Sequence, residues 1–204
     1  MPTPYRINLP YQPDRRKYGK WNPSKITHDT RQIAQEQGVD LNRLSVEEIR
    51  DFMKQNMLGI DCSGFVYQML NYLVNKIGKG NLRKNGFPKA SSTNDKVFSS
   101  NRFSKPIGGV KNTQPGDMIV FKHATSGLGH IILVVEVKDN QITFAHSADS
   151  KVNNGIQTGK IIITDPASDI KNQDWSKNSE ESQSLKGHLN LEKGDGIRRL
   201  RILT

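Results

Sequence analysis

The chain has 204 residues, with 30 Lys and Arg against 20 Asp and Glu, so its formal net charge is +10. Hydrophobic residues make up 34 % of it, and its longest aliphatic run, residues 131–135, is far shorter than the ~20 residues that span a bilayer. These values exclude a membrane span, and a single cysteine excludes a disulfide framework and multi-cysteine metal sites. The positive charge favours a polyanionic partner, which nucleic acid, anionic lipid or an acidic wall polymer would each satisfy.

The N-terminal region predicts an extended arm. Five of the nine prolines fall within the first 23 residues, which disfavours a regular helix or a central strand. We therefore expect an arm over residues 1–26 and one domain over residues 27–204. Residues 1–10 lack a signal-peptide pattern. The sequence thus leaves open whether the protein is exported by a signal outside this chain or stays in the cytoplasm.

Three helices are predicted before the middle of the chain. The first covers residues 28–37 and stops at Gly38, and a capping box over residues 45–48 opens the second, which runs to about Met57. Asp61 is a good N-cap for the third helix, so Cys62 falls in its first turn. One broad apolar stripe defines that third helix: Phe65, Val66, Met69, Leu70, Leu73, Val74 and Ile77.

The second half of the chain predicts strands. Asp139 and Asn140 form a tight hairpin turn between two of these strands. Helices followed by an antiparallel sheet define the α+β class. The predicted strands are short and rich in β-branched residues: 118–122, 130–138, 141–146, 160–164 and 197–203.

Two long segments fit neither pattern. Residues 79–114 carry eight Lys or Arg and one acidic residue, whereas residues 165–195 carry four Lys and seven acidic residues. Both exceed the ~12–15 residues of ordinary loops. Each is therefore interpreted as an insert that forms a functional flap, a disordered stretch or short helices.

Cys62 can be interpreted in two ways, as a buried structural residue or as a nucleophile. A lone cysteine is most often a small buried hydrophobe. At a helix start, however, unpaired N–H groups and the helix dipole favour an anion, which predicts a lowered thiol pKa and a nucleophile. Ser63 and Gly64 are small, and this leaves room for a substrate backbone to approach.

Two histidines are candidate partners for the thiol. His130 opens the most apolar strand and His146 ends the next one. Pairing these strands around the turn leaves His146 three residues out of alignment with His130, so a bulge or slip is needed to join the rings. Otherwise each is an ordinary strand-end histidine. A metal site formed with His123 lacks a recognised carboxylate spacing.

Several motifs together resemble the NlpC/P60 family of cysteine peptidases. They occur in the family's order over residues 59–147, and residues 196–199 resemble its closing strand. The motifs are Gly59-Ile-Asp-Cys-Ser-Gly-Phe-Val66, Pro115-Gly-Asp-Met-Ile-Val-Phe121, Gly129-His-Ile-Ile-Leu-Val134 and Phe144-Ala-His-Ser147.

The resemblance implies a papain-like α+β fold with five or six antiparallel strands. It also implies hydrolysis of a peptidoglycan stem peptide at the bond between γ-linked D-glutamate and a diamino acid. In that mechanism Cys62 is the nucleophile of a thioester pathway, His130 is the general base and then the acid, and His146 holds the imidazole. The resemblance implies no metal and no cofactor.

It further implies a set of substrate-binding residues. In the family, the residues that flank the nucleophile bind the amino end of the stem peptide, and these are Asp61 and Ser63 here. Many members also place a tyrosine near the oxyanion, about 10–15 residues before the cysteine. The nearest upstream tyrosine here is Tyr18, which we take as the candidate.

Two alternatives stay open. The Gly-His-aliphatic strand also fits an amidase of the related CHAP class, and the same fold could serve as a non-catalytic cell-wall-binding module. The basic segment 79–114 could hold an anionic wall polymer, whereas no known nucleic-acid-binding pattern is present. We therefore expect a secreted, periplasmic or wall-associated hydrolase, with a cytoplasmic location still open.

Overall fold

The computed structural model describes residues 2–6, 19–122, 129–149, 154–175 and 180–204. The helices are α1 (Pro23–Glu36), α2 (Val46–Gln55), α3 (Cys62–Lys76), α4 (Asp95–Phe98) and α5 (Glu180–His188). The strands are β1 (Ser104–Pro106), β2 (Met118–Phe121), β3 (His130–Lys138), β4 (Gln141–Asp149), β5 (Asn154–Ile162) and β6 (Gly196–Leu200).

The six strands form one antiparallel sheet in the order β1-β6-β2-β3-β4-β5. Helix α3 packs on one face through a hydrophobic core that includes Val66, Leu70 and Ile131. A second core, which includes Phe144 and Trp175, covers the other face. This arrangement confirms the predicted α+β class and is consistent with a papain-like fold.

The first helix begins earlier than predicted. Helix α1 begins at Pro23, not after residue 26, and the Asn22 side chain accepts a hydrogen bond of 2.8 Å from the Lys25 N–H. Proline suits the first helical position because its missing N–H would have no partner there. The first helix thus begins five residues before the predicted start at residue 28, and the predicted capping box that opens α2 is present.

Helix α3 begins at the predicted residue. The Asp61 side chain caps it by accepting a hydrogen bond of 2.6 Å from the Gly64 N–H, which places Cys62 at the first helical position. Gly78 follows the helix with a φ of 76°, a conformation that glycine adopts without strain. Both ends of the helix are thus set by local sequence.

The hairpin between β3 and β4 contains a predicted turn and a bulge. Asp139 and Asn140 both have positive φ, 49° and 58°, as a two-residue type I′ turn requires. The register then shifts between Val134 and Glu136, which leaves Val135 as the extra residue. A bulge reverses which face the following side chains occupy.

Four strands differ from prediction. Strand β4 continues past residue 146 to Asp149, and β6 ends at Leu200 rather than at residue 203. Strand β5 covers Asn154–Ile162, rather than residues 160–164, and pairs with β4 along its whole length. Its glycines hide the strand signal, yet a Cβ at Gly159 would lie 2.3 Å from Cζ of Phe144, so the strand needs glycine there. Strand β1, inside the basic segment, has only three residues and was not predicted.

Both inserts contain ordered structure. The basic segment 79–114 forms short helical turns, α4 and β1, and buries Leu82, Phe87 and Phe98 in the first core. The acidic segment 165–195, apart from residues 176–179, which lie outside the described part, places Trp175 in the second core. Short helices, one of the predicted outcomes, are therefore present in each. Among the described residues, no helix is long and apolar enough to cross a bilayer.

Candidate active site

Cys62 lies at the meeting point of α3 and β3. Its side chain is buried, with 8 % of its surface exposed, and it belongs to the same hydrophobic core as Ile131 and Leu133 of β3. Ile131 directly follows His130, so this core extends to the start of the strand that carries the histidine. Cys62 therefore packs near the strand that begins with the predicted base, His130.

His130 and His146 are joined by a hydrogen bond. Nε2 of His130 lies 2.9 Å from Nδ1 of His146, and the two rings meet edge to face. Phe121 packs beside the first ring and Phe144 beside the second, with ring centroids 5.9 and 5.7 Å apart. His146 is buried and His130 is half-buried, so packing limits how far either ring can rotate.

A further contact ties the strand of His146 to the segment before Cys62. The Ser147 hydroxyl donates a hydrogen bond of 2.7 Å to the carbonyl oxygen of Ile60, and both groups are buried. The thiol and the imidazole pair are therefore attached to one rigid unit made from the start of α3 and the strands β3 and β4.

The thiol opens onto a cleft of about 430 Å³. One side is formed by the residues around the nucleophile and the other by the start of α4 in the basic segment. Gly129, which precedes His130, borders the same cleft; a Cβ there would lie 2.1 Å from Oδ2 of Asp95. The lining includes Tyr5, Lys20, Asp61, Cys62, Ser63, Thr93, Asp95, Lys96, Lys122 and Gly129.

The tyrosine in this cleft is Tyr5. The chain forms a parallel bridge between Tyr5 and Ile60, in which Pro4 accepts from the Ile60 N–H (2.9 Å) and Arg6 donates to the Ile60 carbonyl (3.3 Å). The predicted candidate, Tyr18, lies outside the described residues. Sequence reasoning missed Tyr5 because it is far from Cys62 along the chain and only the folded arm brings it back.

Lys20 is the second residue that the sequence did not reveal. Its Nζ lies 2.7 Å from Oδ1 of Asp61 and also donates a hydrogen bond to Oγ of Ser63. Both members of the ion pair are buried. Asp61 and Ser63 thus both line the cleft, but a cation from their own chain already contacts them.

Gly64 does not leave room for a substrate, contrary to expectation. A Cβ at this position would lie 2.0 Å from the carbonyl oxygen of Gly19. That space is filled by the protein's own backbone, since Gly19 also accepts a hydrogen bond of 2.9 Å from the Asp61 N–H. Glycine is required here for close approach of the segment that carries Lys20.

The prediction of a lowered thiol pKa was also wrong for this conformation. Burial raises the pKa of Cys62 to about 12, and the Asp61 carboxylate acts in the same direction, against smaller effects of Lys20 and two backbone N–H groups. Desolvation destabilises a thiolate more than the helix start favours it. Burial likewise lowers the pKa of His130 to about 3, helped by His146 and His188, and that of His146 to about 4. At neutral pH the thiol and both imidazoles are therefore uncharged.

A metal site at His123, His130 and His146 is the other possibility that the sequence raises. Within the described parts of the chain, no group of three or more His, Cys, Asp or Glu side chains is placed to hold a metal ion. His123, the third histidine of the metal alternative, lies outside those parts. The described residues do include a cysteine at a helix start and a hydrogen-bonded pair of imidazoles.

A cysteine at a helix start and a histidine at the start of a strand, on an α+β fold, are features of the papain-like peptidases and amidases. Residues 52–148, just under half of the chain, match the model of the CHAP domain. CHAP domains belong to this papain-like superfamily and are typically cysteine- and histidine-dependent amidohydrolases that act on peptidoglycan. The matched range contains Cys62, His130 and His146.

The match falls on the CHAP class, which the sequence had suggested as the second enzyme reading. The closer resemblance to NlpC/P60 peptidases stays a prediction. The comparison with curated proteins gives no match, and neither does the comparison with solved structures. The hydrolase class therefore rests on the domain match together with the geometry of the site.

Proposed function

We propose that this protein hydrolyses an amide bond in bacterial peptidoglycan through a thioester on Cys62. The observation that carries the proposal is the hydrogen bond between His130 and His146, on two strands whose residues Ile131 and Ala145 share a core with Cys62. The CHAP match over the same residues supports peptidoglycan as the substrate class.

The neutral resting state determines the order of proton transfers. As the Cys62 sulfur attacks the carbonyl carbon, the thiol proton passes to His130, so the thiolate never has to exist alone in a buried site. His130 then donates that proton to the departing amine as the C–N bond breaks. Water next attacks the thioester with His130 as the base, and the carboxylic acid leaves while the thiol is restored. His146 holds the ring of His130 during each step.

The negative charge on the carbonyl oxygen needs donors nearby. The backbone N–H of Cys62 is one, because the first N–H groups of a helix have no partner within the helix. Tyr5 is the second donor in this proposal. Burial raises the pKa of its hydroxyl, with contributions from Cys62 and Asp61, so the group stays protonated and can donate. It takes the role that the sequence assigned to Tyr18.

Two bonds in the stem are candidates for cleavage. The first is the bond between γ-linked D-glutamate and the diamino acid, favoured by the placement of Asp61 and Ser63 in the cleft beside Cys62. The second is the amide that joins the stem to the glycan strand, favoured by the CHAP match. Both reactions use the same acyl-transfer chemistry and differ in which part of the stem lies over the thiol.

Digestion of purified peptidoglycan tests the proposal and separates the two bonds. The released fragments are weighed by mass spectrometry, since a peptidase and an amidase leave different ends. The variant Cys62→Ala should release nothing above background while keeping the circular dichroism spectrum of the wild type. Release that survives this substitution contradicts the nucleophile assignment. Binding to walls without release, even of soluble stem peptides, favours the non-catalytic module.

The basic segment is proposed to hold an anionic wall polymer near the cleft. It forms one wall of the cleft through the start of α4, and Lys96 and Lys122 both line the cleft. Attraction between exposed charges is screened within about 8 Å at physiological salt. Wall binding should therefore weaken steeply as salt is added. A wall-associated or secreted location is part of the same proposal.

A further inference from the structure

Lys20 occupies an unusual position for a lysine. Its ammonium lies between Asp61 and Ser63, 2.7 Å from Oδ1 of the carboxylate and hydrogen-bonded to the hydroxyl. The side chains of both Lys20 and Asp61 are less than a tenth exposed. The three residues line the same cleft as Cys62. A positive charge from the protein is thus built into the wall of the substrate site.

The backbone holds this lysine in place. Gly19 donates a hydrogen bond of 3.2 Å to the carbonyl of Gly59 and accepts one of 2.9 Å from the Asp61 N–H. The side chain of Gln68, on α3, donates a hydrogen bond of 2.9 Å to the Lys20 carbonyl. The absence of a side chain at Gly64 allows this close contact. The ammonium is therefore a fixed part of the site rather than a mobile surface charge.

The acceptors around Lys20 are the groups that a substrate ammonium would use. Oδ1 of Asp61 already receives hydrogen bonds from Lys20, from Ser63 and from the Gly64 N–H. A second ammonium would find this carboxylate engaged and would be repelled by the charge of Lys20 at short range. An amide carbonyl, by contrast, is attracted to Lys20, because a lysine ammonium carries three N–H donors and no acceptor.

We propose that Lys20 is a specificity-determining residue which takes the place of a substrate amino end, so that the cleft selects stem peptides whose amino end is acylated. This inference rests on the proposed function. An acylated end is the form present where the stem is still joined to its glycan strand, whereas a free ammonium marks a stem that has already been released. The preferred substrate is therefore the intact polymer.

Calorimetric binding to the Cys62→Ala protein tests this without turnover. Two synthetic stem peptides containing γ-linked D-glutamate and a diamino acid are compared, identical except that the amino end is free in one and acetylated in the other. The acetylated peptide should bind at least about tenfold more tightly. Adding Lys20→Gln should abolish or reverse that preference, and adding Lys20→Arg, which keeps the charge, should retain it.

The ratio of the two affinities does not depend on the fraction of folded protein, so partial unfolding of the Lys20→Gln protein cannot imitate the expected result. Tighter binding of the free amine, an unchanged ratio in Lys20→Gln, or no binding of either peptide overturns the role of Lys20. Wild-type protein that digests no peptidoglycan yet shows the expected affinity ratio overturns the proposed hydrolysis and supports the binding preference. The two failures are thus distinguishable.

Discussion

His130 and His146 lie on the same face of the sheet because β3 carries one extra residue, Val135. Leu133 pairs directly with Ala145, so these two side chains share one face of the sheet. His130 lies three residues from Leu133 and His146 lies one residue from Ala145. Because side chains alternate along a strand, both histidines lie on the face opposite to Leu133 and Ala145. If the register next to the turn, where Val137 pairs with Ile142, continued without the bulge, the rings would point to opposite faces. The hydrogen bond of 2.9 Å between them depends on that single residue.

Removing the His146 ring should slow catalysis without weakening substrate binding. His146→Ala leaves His130 without its orienting partner, and we expect kcat to fall by about 10²–10⁴-fold with little change in KM, by analogy with loss of the orienting residue of other triads. His146→Asn, which keeps a polar group near the imidazole, should recover part of the loss. His28→Ala, at an exposed position on α1, is the matched control. Equal losses in kcat for the Ala and Asn variants would contradict an orienting role.

The Cys62 thiol should react slowly with iodoacetamide at neutral pH. Burial raises its pKa to about 12, so the alkylation rate of the folded protein should still be rising at about pH 9. In the urea-unfolded chain the same thiol has an ordinary pKa of about 8.5, so its alkylation rate should be levelling off at about pH 9. The rate is followed by mass spectrometry. A plateau below about pH 7 in the folded protein would instead reveal a thiolate–imidazolium pair at rest.

Tyr5→Phe should lower kcat and leave KM nearly unchanged if the hydroxyl stabilises the oxyanion. Loss of one such donor costs about 10²–10³-fold in kcat. The ring of Phe would still pack against the segment around Ile60, so the fold should be kept. Tyr72→Phe is the control, because Tyr72 lies on the outer surface of α3 and is 61 % exposed. A Tyr5→Phe enzyme with wild-type kcat removes Tyr5 from the oxyanion site.

The protein should lose stability as the pH falls from about 6.5 towards 4. Burial lowers the pKa of His146 to about 4, against about 6.5 in the unfolded chain. Between about pH 4 and pH 6.5 the unfolded state binds more protons at His146 than the folded state does. The contribution of His146 to the free energy of unfolding is therefore greatest above about pH 6.5, and it decreases by up to about 1.4 kcal/mol for each pH unit below that. Urea unfolding measured at several pH values gives this slope.

His146→Gln provides the comparison for that measurement. Glutamine does not titrate, so the variant should show a shallower decrease between the same two pH values. The carboxylates that also titrate in acid are common to both proteins and cancel in the difference. Identical slopes for the two proteins would mean that His146 is not held neutral by burial.

The sequence by itself determined the features that depend on local chemistry. Asp61 and the apolar stripe after it define α3 and place Cys62 at its start, and the capping box defines α2 in the same way. Asp139 and Asn140 specify a two-residue turn, which brings β3 against β4. Short-range hydrogen bonds and side-chain periodicity are enough to specify these elements, so the cysteine and both histidines could be chosen without a structure.

The tertiary structure alone decided the register and the composition of the cleft. The bulge at Val135 arises where Val134 and Val137 are both drawn into the second core, and this depends on packing across the sheet. Tyr5 and Lys20 reach the cleft through backbone contacts with residues 59–61, which lie far away in sequence. Burial, which raises the pKa of Cys62, is likewise a property of the assembled fold. Such contacts between distant segments leave no periodic or local trace in the sequence.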